Sequence, residues 1–238
     1  MKKDISVFAM ILKSVIYKVL GVILLTAAAE MGAFCIAVKM GAISIENAVE
    51  MSHIKWIFIL GFVFTSVLTM TNLRKISSAY TIRRLRYSEV SVYLSEAACG
   101  IICFTLLYAV QILTLFISSQ IYVHMIPEHF ISNQTVFLAF YRDRFLHSIM
   151  PLSDIWVWVR NIVAVIASGI AMAIVPHENI KFSILNITAV VVSLLLLTND
   201  LIGAIGGNLH LIFTALEIFL IGLMLWNGVK KEGVWDEI

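Results

Sequence analysis

Five polar side chains stand inside long apolar runs of this chain: Glu30, Gln111, His210, Thr214 and Glu217. A charge in hydrocarbon costs several kcal/mol, so groups of this kind face protein or water and are candidates for ion paths, proton relays or polar seams between helices. His210, Thr214 and Glu217 are spaced by four and three residues, which sets them on one face of a helix. Glu30 lies eight residues before the end of one apolar run, and Glu217 lies nine residues after the start of another. At about 1.5 Å per residue, both carboxyls stand roughly 12–14 Å below the same surface. Gln111, midway along the longest run, falls near that depth. Two readings stay open: a polar layer lining a path or a subunit seam, or carboxyls bonded to neighbouring helices that only pack.

Other chemistry finds no support in the sequence. The chain has no P-loop and hence no nucleotide cradle of its own. It has no metalloprotease His-Glu-x-x-His helix, no nucleophile elbow and no paired-glutamate motif of the intramembrane proteases. No catalytic or metal-ligating set is therefore expected, and the chain is not read as an enzyme. Cys35, Cys99 and Cys103 lie inside apolar runs and read as small packing residues, with Cys99 and Cys103 on one helical face. Asn133-Gln134-Thr135 is a formal glycosylation triplet. A net charge of +2 is too small to imply a nucleic-acid partner.

These residues must be positioned by membrane-spanning helices. The 238 residues are 61% apolar and 13% charged, against about 45–50% and about 25% in soluble domains. So few charges cannot cover so much apolar surface in water, and lipid is the solvent that fits. The apolar runs lack the alternation of barrel strands, so an all-α polytopic fold follows. Six spans are expected, at 19–38, 54–73, 97–125, 155–175, 182–199 and 208–228, each near the length of about 20 residues that crosses a bilayer. Residues 1–18 precede them. There Ile5, Phe8, Ala9, Leu12, Val15 and Ile16 mark one helical face, so an amphipathic helix lying in the interface is expected. Apolar character runs past Glu30 to Val38, which favours a first span over a cleaved signal peptide.

Lys and Arg set the orientation. With both termini inside, the cytoplasmic set is Lys2, Lys3, Lys13, Lys18, Arg74, Lys75, Arg83, Arg84, Arg86, Lys181, Lys230 and Lys231. The outer set is Lys39, Lys55, Arg142, Arg144 and Arg160. Twelve against five places the termini in the cytoplasm. Trp56, Tyr122, Trp156 and Trp158 fall at outer span ends and Trp226 at an inner one, as an aromatic belt requires. In the outer connection 126–154, Phe137, Tyr141, Phe145 and Ile149 recur every four residues and predict a helix lying on the surface. The pairs Ala28/Gly32 and Ala29/Ala33 mark a face for close helix packing. Gly203, Gly206 and Gly207 point to a tight hairpin before the last span.

The basic connection 74–96 holds five of the 17 Lys and Arg residues. It reads equally as an anchor on anionic lipid or as a dock, because Tyr80, Ile82, Leu85, Tyr87, Val90 and Tyr93 add apolar contacts. Thr81-Ile82-Arg83-Arg84-Leu85-Arg86-Tyr87-Ser88 resembles the cytoplasmic connection that precedes the third span in permease subunits of ABC exporters with type 2 architecture, although Arg86 stands where that family commonly has proline. The six spans, inside termini and N-terminal interfacial helix are similar too, and 137–151 looks like a segment of bacterial membrane proteins of this general kind. The resemblance implies a cytoplasmic ATPase docked through Arg83, Arg84, Leu85, Arg86 and Tyr87. ATP and Mg would be held by that partner and by no cofactor site in this chain. A second six-helix subunit, identical or not, would complete an export path in a bacterial cytoplasmic membrane. The competing classes are a non-transporting membrane anchor or regulatory subunit, and a secondary carrier or intramembrane enzyme using Glu30, His210 and Glu217.

Overall fold

The computed structural model describes residues 2–77, 89–125, 133–152, 154–174, 180–198 and 209–233, and all regular structure among them is helical. The helices are α1 (Lys2–Lys39), α2 (Ile45–Ser52), α3 (Ile54–Ser77), α4 (Glu89–Met125), α5 (Asn133–Arg142), α6 (Arg144–Ile149), α7 (Ile155–Ile174), α8 (Ile180–Thr198) and α9 (Leu209–Gly233). None of the chain's prolines, Pro127, Pro151 and Pro176, lies in a described helix, so the helical hydrogen-bond ladders keep every donor. Four described helices are long and apolar enough to cross a membrane: Ser6–Lys39, Ile54–Lys75, Val90–Met125 and Ile155–Ala173. Shorter apolar stretches, Ile187–Thr198 and Leu211–Trp226, lie in α8 and α9. The protein is an integral membrane protein.

Two helices form the axis of the bundle. α4 touches α1, α3, α6, α7 and α9, while α7 touches α3, α4, α8 and α9. At 37 residues, α4 is about 56 Å long, well beyond a hydrocarbon core of about 30 Å. The crossing of α4 and α7 is set by Gly100 and Gly169. A Cβ on Gly100 would collide with the Gly169 carbonyl, and one on Gly169 with the backbone of Gly100 and Ile101. Phenylalanines fill the space beside this crossing, with Phe62 and Phe104 rings 5.0 Å apart and Phe58 and Phe145 rings 6.1 Å apart.

Several sequence expectations change here. α1 runs without a break through residue 18. Val7, Ile11, Val15, Val19 and Ile23 are buried at steps of four, and Lys18 Nζ donates to Asn72 Oδ1 of α3 at 2.7 Å. Residues 6–18 thus pack on the bundle as a continuation of the first long helix, with Ala9 of the expected apolar face turned outward. Among the described residues the small-residue face is also not a packing seam. Ala28, Ala29 and Gly32 are exposed, and a Cβ on Gly32 would meet nothing within 4 Å. Small residues instead act at Gly61, which faces Thr26, and at Gly100 against Gly169. Tyr122 leaves the aromatic belt, because it is buried and its hydroxyl donates to the Ala42 carbonyl. Trp56, Trp156 and Trp226 are exposed, as a belt requires.

The connection expected to hold one surface helix is split by Asp143. The Asp143 carboxylate accepts from the Leu146 N–H at 2.8 Å and caps α6. Phe137 and Tyr141 point outward, while Phe145, Leu146, Ser148 and Ile149 are buried against the bundle. α6 therefore dips in beside α4 and α8 rather than lying on the surface. Burial, together with the Glu46 and Glu50 charges, holds the Asp143 pKa above its ordinary 3.8. The folded chain then binds this proton more tightly than the unfolded one, so this group's contribution is greatest below the unfolded pKa and falls as pH rises through the folded value. Asp143→Ala is expected to cost about 1 kcal/mol through the lost cap. Asp143→Asn keeps the cap, removes the buried charge and should flatten the pH dependence. Thermal unfolding in detergent across the acidic range measures both.

Candidate functional site

Among the described residues the largest fully buried side chain is an arginine, Arg160, only 2% exposed. It sits one and a half turns into α7, which starts level with a point about eleven residues short of the end of α4. Two contacts fix the antiparallel register. Gly100 faces Gly169, and eight residues further along α4 and eight back along α7, Asn161 Nδ2 donates to the Tyr108 hydroxyl at 2.9 Å. Tyr108 stands at the midpoint of α4, nineteen residues from Glu89 and seventeen from Met125. Arg160 and Asn161 are thus deep in the bundle.

The reason is visible in the backbone they meet. Residues 148–151 lead out of α6, buried except for the half-buried Met150, and side chains satisfy the carbonyls of Ser148, Ile149 and Pro151. Asn161 Nδ2 donates to the Ser148 carbonyl at 2.7 Å, and Arg160 approaches it at 3.4 Å. The Tyr108 hydroxyl donates to the Ile149 carbonyl at 2.6 Å, and Trp158 Nε1 to the Pro151 carbonyl at 2.6 Å. Buried backbone outside a helix persists only where protein or trapped water meets its polar groups. Arg160 also donates to the Ser148 hydroxyl at 3.0 Å, and that hydroxyl donates to the Leu197 carbonyl at 2.6 Å. The C-terminal ends of α6 and α8, where helix dipoles are negative, therefore converge beside one guanidinium.

Glu217 of α9, fully buried, accepts from the Ser193 hydroxyl of α8 at 2.8 Å. Ser193 stands one turn before Leu197 on α8, whose carbonyl meets Ser148, so Glu217 joins the Arg160 cluster through α8. On the opposite flank Glu30 of α1 is likewise fully buried, with Gln111 of α4 beside it but outside hydrogen-bonding geometry. Gln111 is three residues from Tyr108, one turn along the same helix. One polar layer thus crosses the bundle from Glu30 through Gln111, Tyr108 and Asn161 to Arg160, Ser148, Ser193 and Glu217. It joins α1, α4, α7, α6, α8 and α9.

Of the residues singled out from the sequence, Glu30, Gln111 and Glu217 lie in this layer and Thr214 is buried one turn away on α9. The side chain of His210 lies outside the described residues, as do Arg83, Arg84, Leu85, Arg86 and Tyr87. Sequence reasoning missed the middle of the layer. It counted Arg160 among the outer loop charges, yet Arg160 and Asn161 stand inside the span expected at 155–175. An arginine followed by asparagine in an apolar run was the available signal. Tyr108 and Ser148 carried none, since their role comes from a chain reversal that no local pattern announces. Among the described residues no group of three or more His, Cys, Asp or Glu side chains is arranged to hold a metal ion. The cysteines are free, with Cys99 and Cys103 buried in packing positions. Comparisons with models of known protein families, with curated proteins and with solved structures find no match to this chain.

Proposed function

We propose that this chain is the membrane-spanning permease subunit of an ATP-driven exporter, with six spans and both termini in the cytoplasm. The observation that carries the reading is the polar layer buried across the bundle. Membrane helices keep ionisable groups buried where a path, a relay or a moving seam needs them. An inert anchor gains nothing from burying Glu30, Arg160 and Glu217 at one level. With Arg160 withdrawn from the surface, the outer cations reduce to Lys39, Lys55, Arg142 and Arg144, and the excess of cytoplasmic Lys and Arg grows to twelve against four.

Energy enters from a separate cytoplasmic ATPase that holds ATP and Mg and grips the connection 74–96 through Arg83, Arg84, Leu85, Arg86 and Tyr87. A second six-helix subunit completes the path, and rocking of the two halves shifts the polar layer from one access state to the other. The setting that fits is a bacterial cytoplasmic membrane.

Purification of the tagged full chain in mild detergent tests this. An ATPase is expected to co-purify. Replacing Ile82, Leu85 and Tyr87 with serine should cut its recovery by about tenfold, as loss of apolar anchors does at an interface, and leave membrane insertion intact. Replacing Arg83, Arg84 and Arg86 with glutamine should disturb insertion if the segment is only an anchor. Recovery of no ATPase would favour the anchor or carrier classes instead. An ATPase recovered equally with the serine variant would end the docking assignment.

A further inference from the structure

At the end of the bundle where α1 and α4 finish, a cavity of about 720 Å³ opens between α2, the start of α3, the α5–α6 elbow and the end of α8. Cavities of about 300–1,000 Å³ are the size that takes small organic ligands. Its walls differ in charge. α2 contributes Glu46 and Glu50, four residues apart and so on one helical face. The elbow contributes Arg142 and Arg144, both exposed, and between them Asp143, whose carboxylate also lines the cavity but is engaged in capping α6. Lys55 stands at the start of α3, next to the exposed ring of Trp56, and Phe145 completes the lining from α6.

His53, also on the lining, closes α2 with a φ of 53°, in the left-handed region, and is the sole non-glycine residue so placed among those described. This is a common way to end a helix, and the His53 N–H donates to the Glu50 carbonyl. Here it brings an imidazole and the C-terminus of α2 to the cavity rim.

We propose that this cavity binds a short amphoteric peptide, one that carries a cationic side chain and a free carboxylate a few residues apart. The α2 carboxylates and the Trp56 ring receive the cation, the ring through its π face. The elbow arginines receive the carboxylate, for which a guanidinium fork is the matching donor. The zwitterionic headgroup of a phospholipid shares this chemistry but fills much less of 720 Å³. The assignment does not rest on coupling to an ATPase, since it concerns other residues and binding alone.

Fluorescence anisotropy on the full chain in detergent tests it, using a dye-labelled pentapeptide with one lysine and a free C-terminal carboxylate. Saturable binding is expected. The double variant E46Q/E50Q and the double variant R142Q/R144Q should each weaken it by about tenfold or more, the effect of losing charge-assisted contacts. Unlabelled peptide should compete, and the same peptide acetylated on lysine or amidated at its C-terminus should compete at least about tenfold less well. These surface variants should elute from size exclusion like the parent chain, which separates lost binding from lost folding. Absence of saturable binding, equal binding by the double variants, or equal competition by the neutralised peptides would overturn the assignment. Glycerophosphoethanolamine displacing the peptide at matched concentration would overturn it in favour of a lipid headgroup.

Discussion

Arg160→Met is expected to destabilise the bundle by about 3–5 kcal/mol, the loss that follows when one partner of a buried charged network is removed. Arg160 stands where the ends of α6 and α8 meet, bonded to the Ser148 hydroxyl and to Asn161 Oδ1. Methionine fills much of the space but donates nothing. The Ser148 hydroxyl loses a donor and the negative ends of two helices lose their cation. Glu217 is tied to the same cluster through α8, where Leu197 meets Ser148 and Ser193 meets Glu217. Arg160→Lys keeps a charge but gives up the planar fork that serves Ser148 and Asn161 together, so it should recover part of the loss and not all of it. Arg160→Met combined with Glu217→Gln should be less destabilised than the sum of the two single variants, by about 0.5–3 kcal/mol. Equilibrium unfolding in mixed detergent reads all four proteins. Strict additivity would mean that Arg160 and Glu217 are separate features and that the layer is not one unit.

The difference between Glu217 and Arg160 also shows what a linear sequence exposes. Glu217 was legible because it interrupts an apolar run whose length and helical period were clear, and its burial follows from cost alone. Its partner Ser193 was not, since a serine in a membrane helix usually bonds its own backbone four residues back, as Ser193 also does with the Ala189 carbonyl. The helical class and the long apolar helices followed from composition. The level of the helices did not. Arg160 was assigned to a water-facing end because α7 was expected to start at the surface, whereas the dip of α6 starts it lower. Only the glycine crossing and the Tyr108–Asn161 bond reveal that offset. The same offset explains why Phe145 is buried and Phe137 is not, although the two share one sequence period.

Gly100→Ala and Gly169→Ala are expected to be as damaging as any single methyl group added to this chain. At most helix contacts an added Cβ meets a side chain that can turn aside. Here it meets a carbonyl or an amide of the facing helix, and the only relief is to push α4 and α7 apart. Overpacking of this kind costs about 1–3 kcal/mol where side chains can adjust, and the rigid backbone contact places these variants at or above the top of that range. Gly61→Ala is a graded control. Its Cβ would come 2.5 Å from Thr26 Cγ2 and 2.6 Å from Thr26 Oγ1, atoms of a single side chain whose rotation would break its bond to the Val22 carbonyl. Gly32→Ala meets nothing within 4 Å and should be neutral or stabilising by up to about 1 kcal/mol through helix propensity. The expected order of melting temperature is therefore Gly32→Ala highest, Gly61→Ala intermediate, and the two crossing variants lowest. The crossing also sets the register that brings Tyr108 to Asn161 eight residues away, so forcing the helices apart should break the polar layer as well. Gly169→Ala combined with Arg160→Met should accordingly cost less than the sum of its parts. If Gly169→Ala melts like Gly32→Ala, the helices do not cross at these glycines, and the level assigned to Arg160 falls with the crossing.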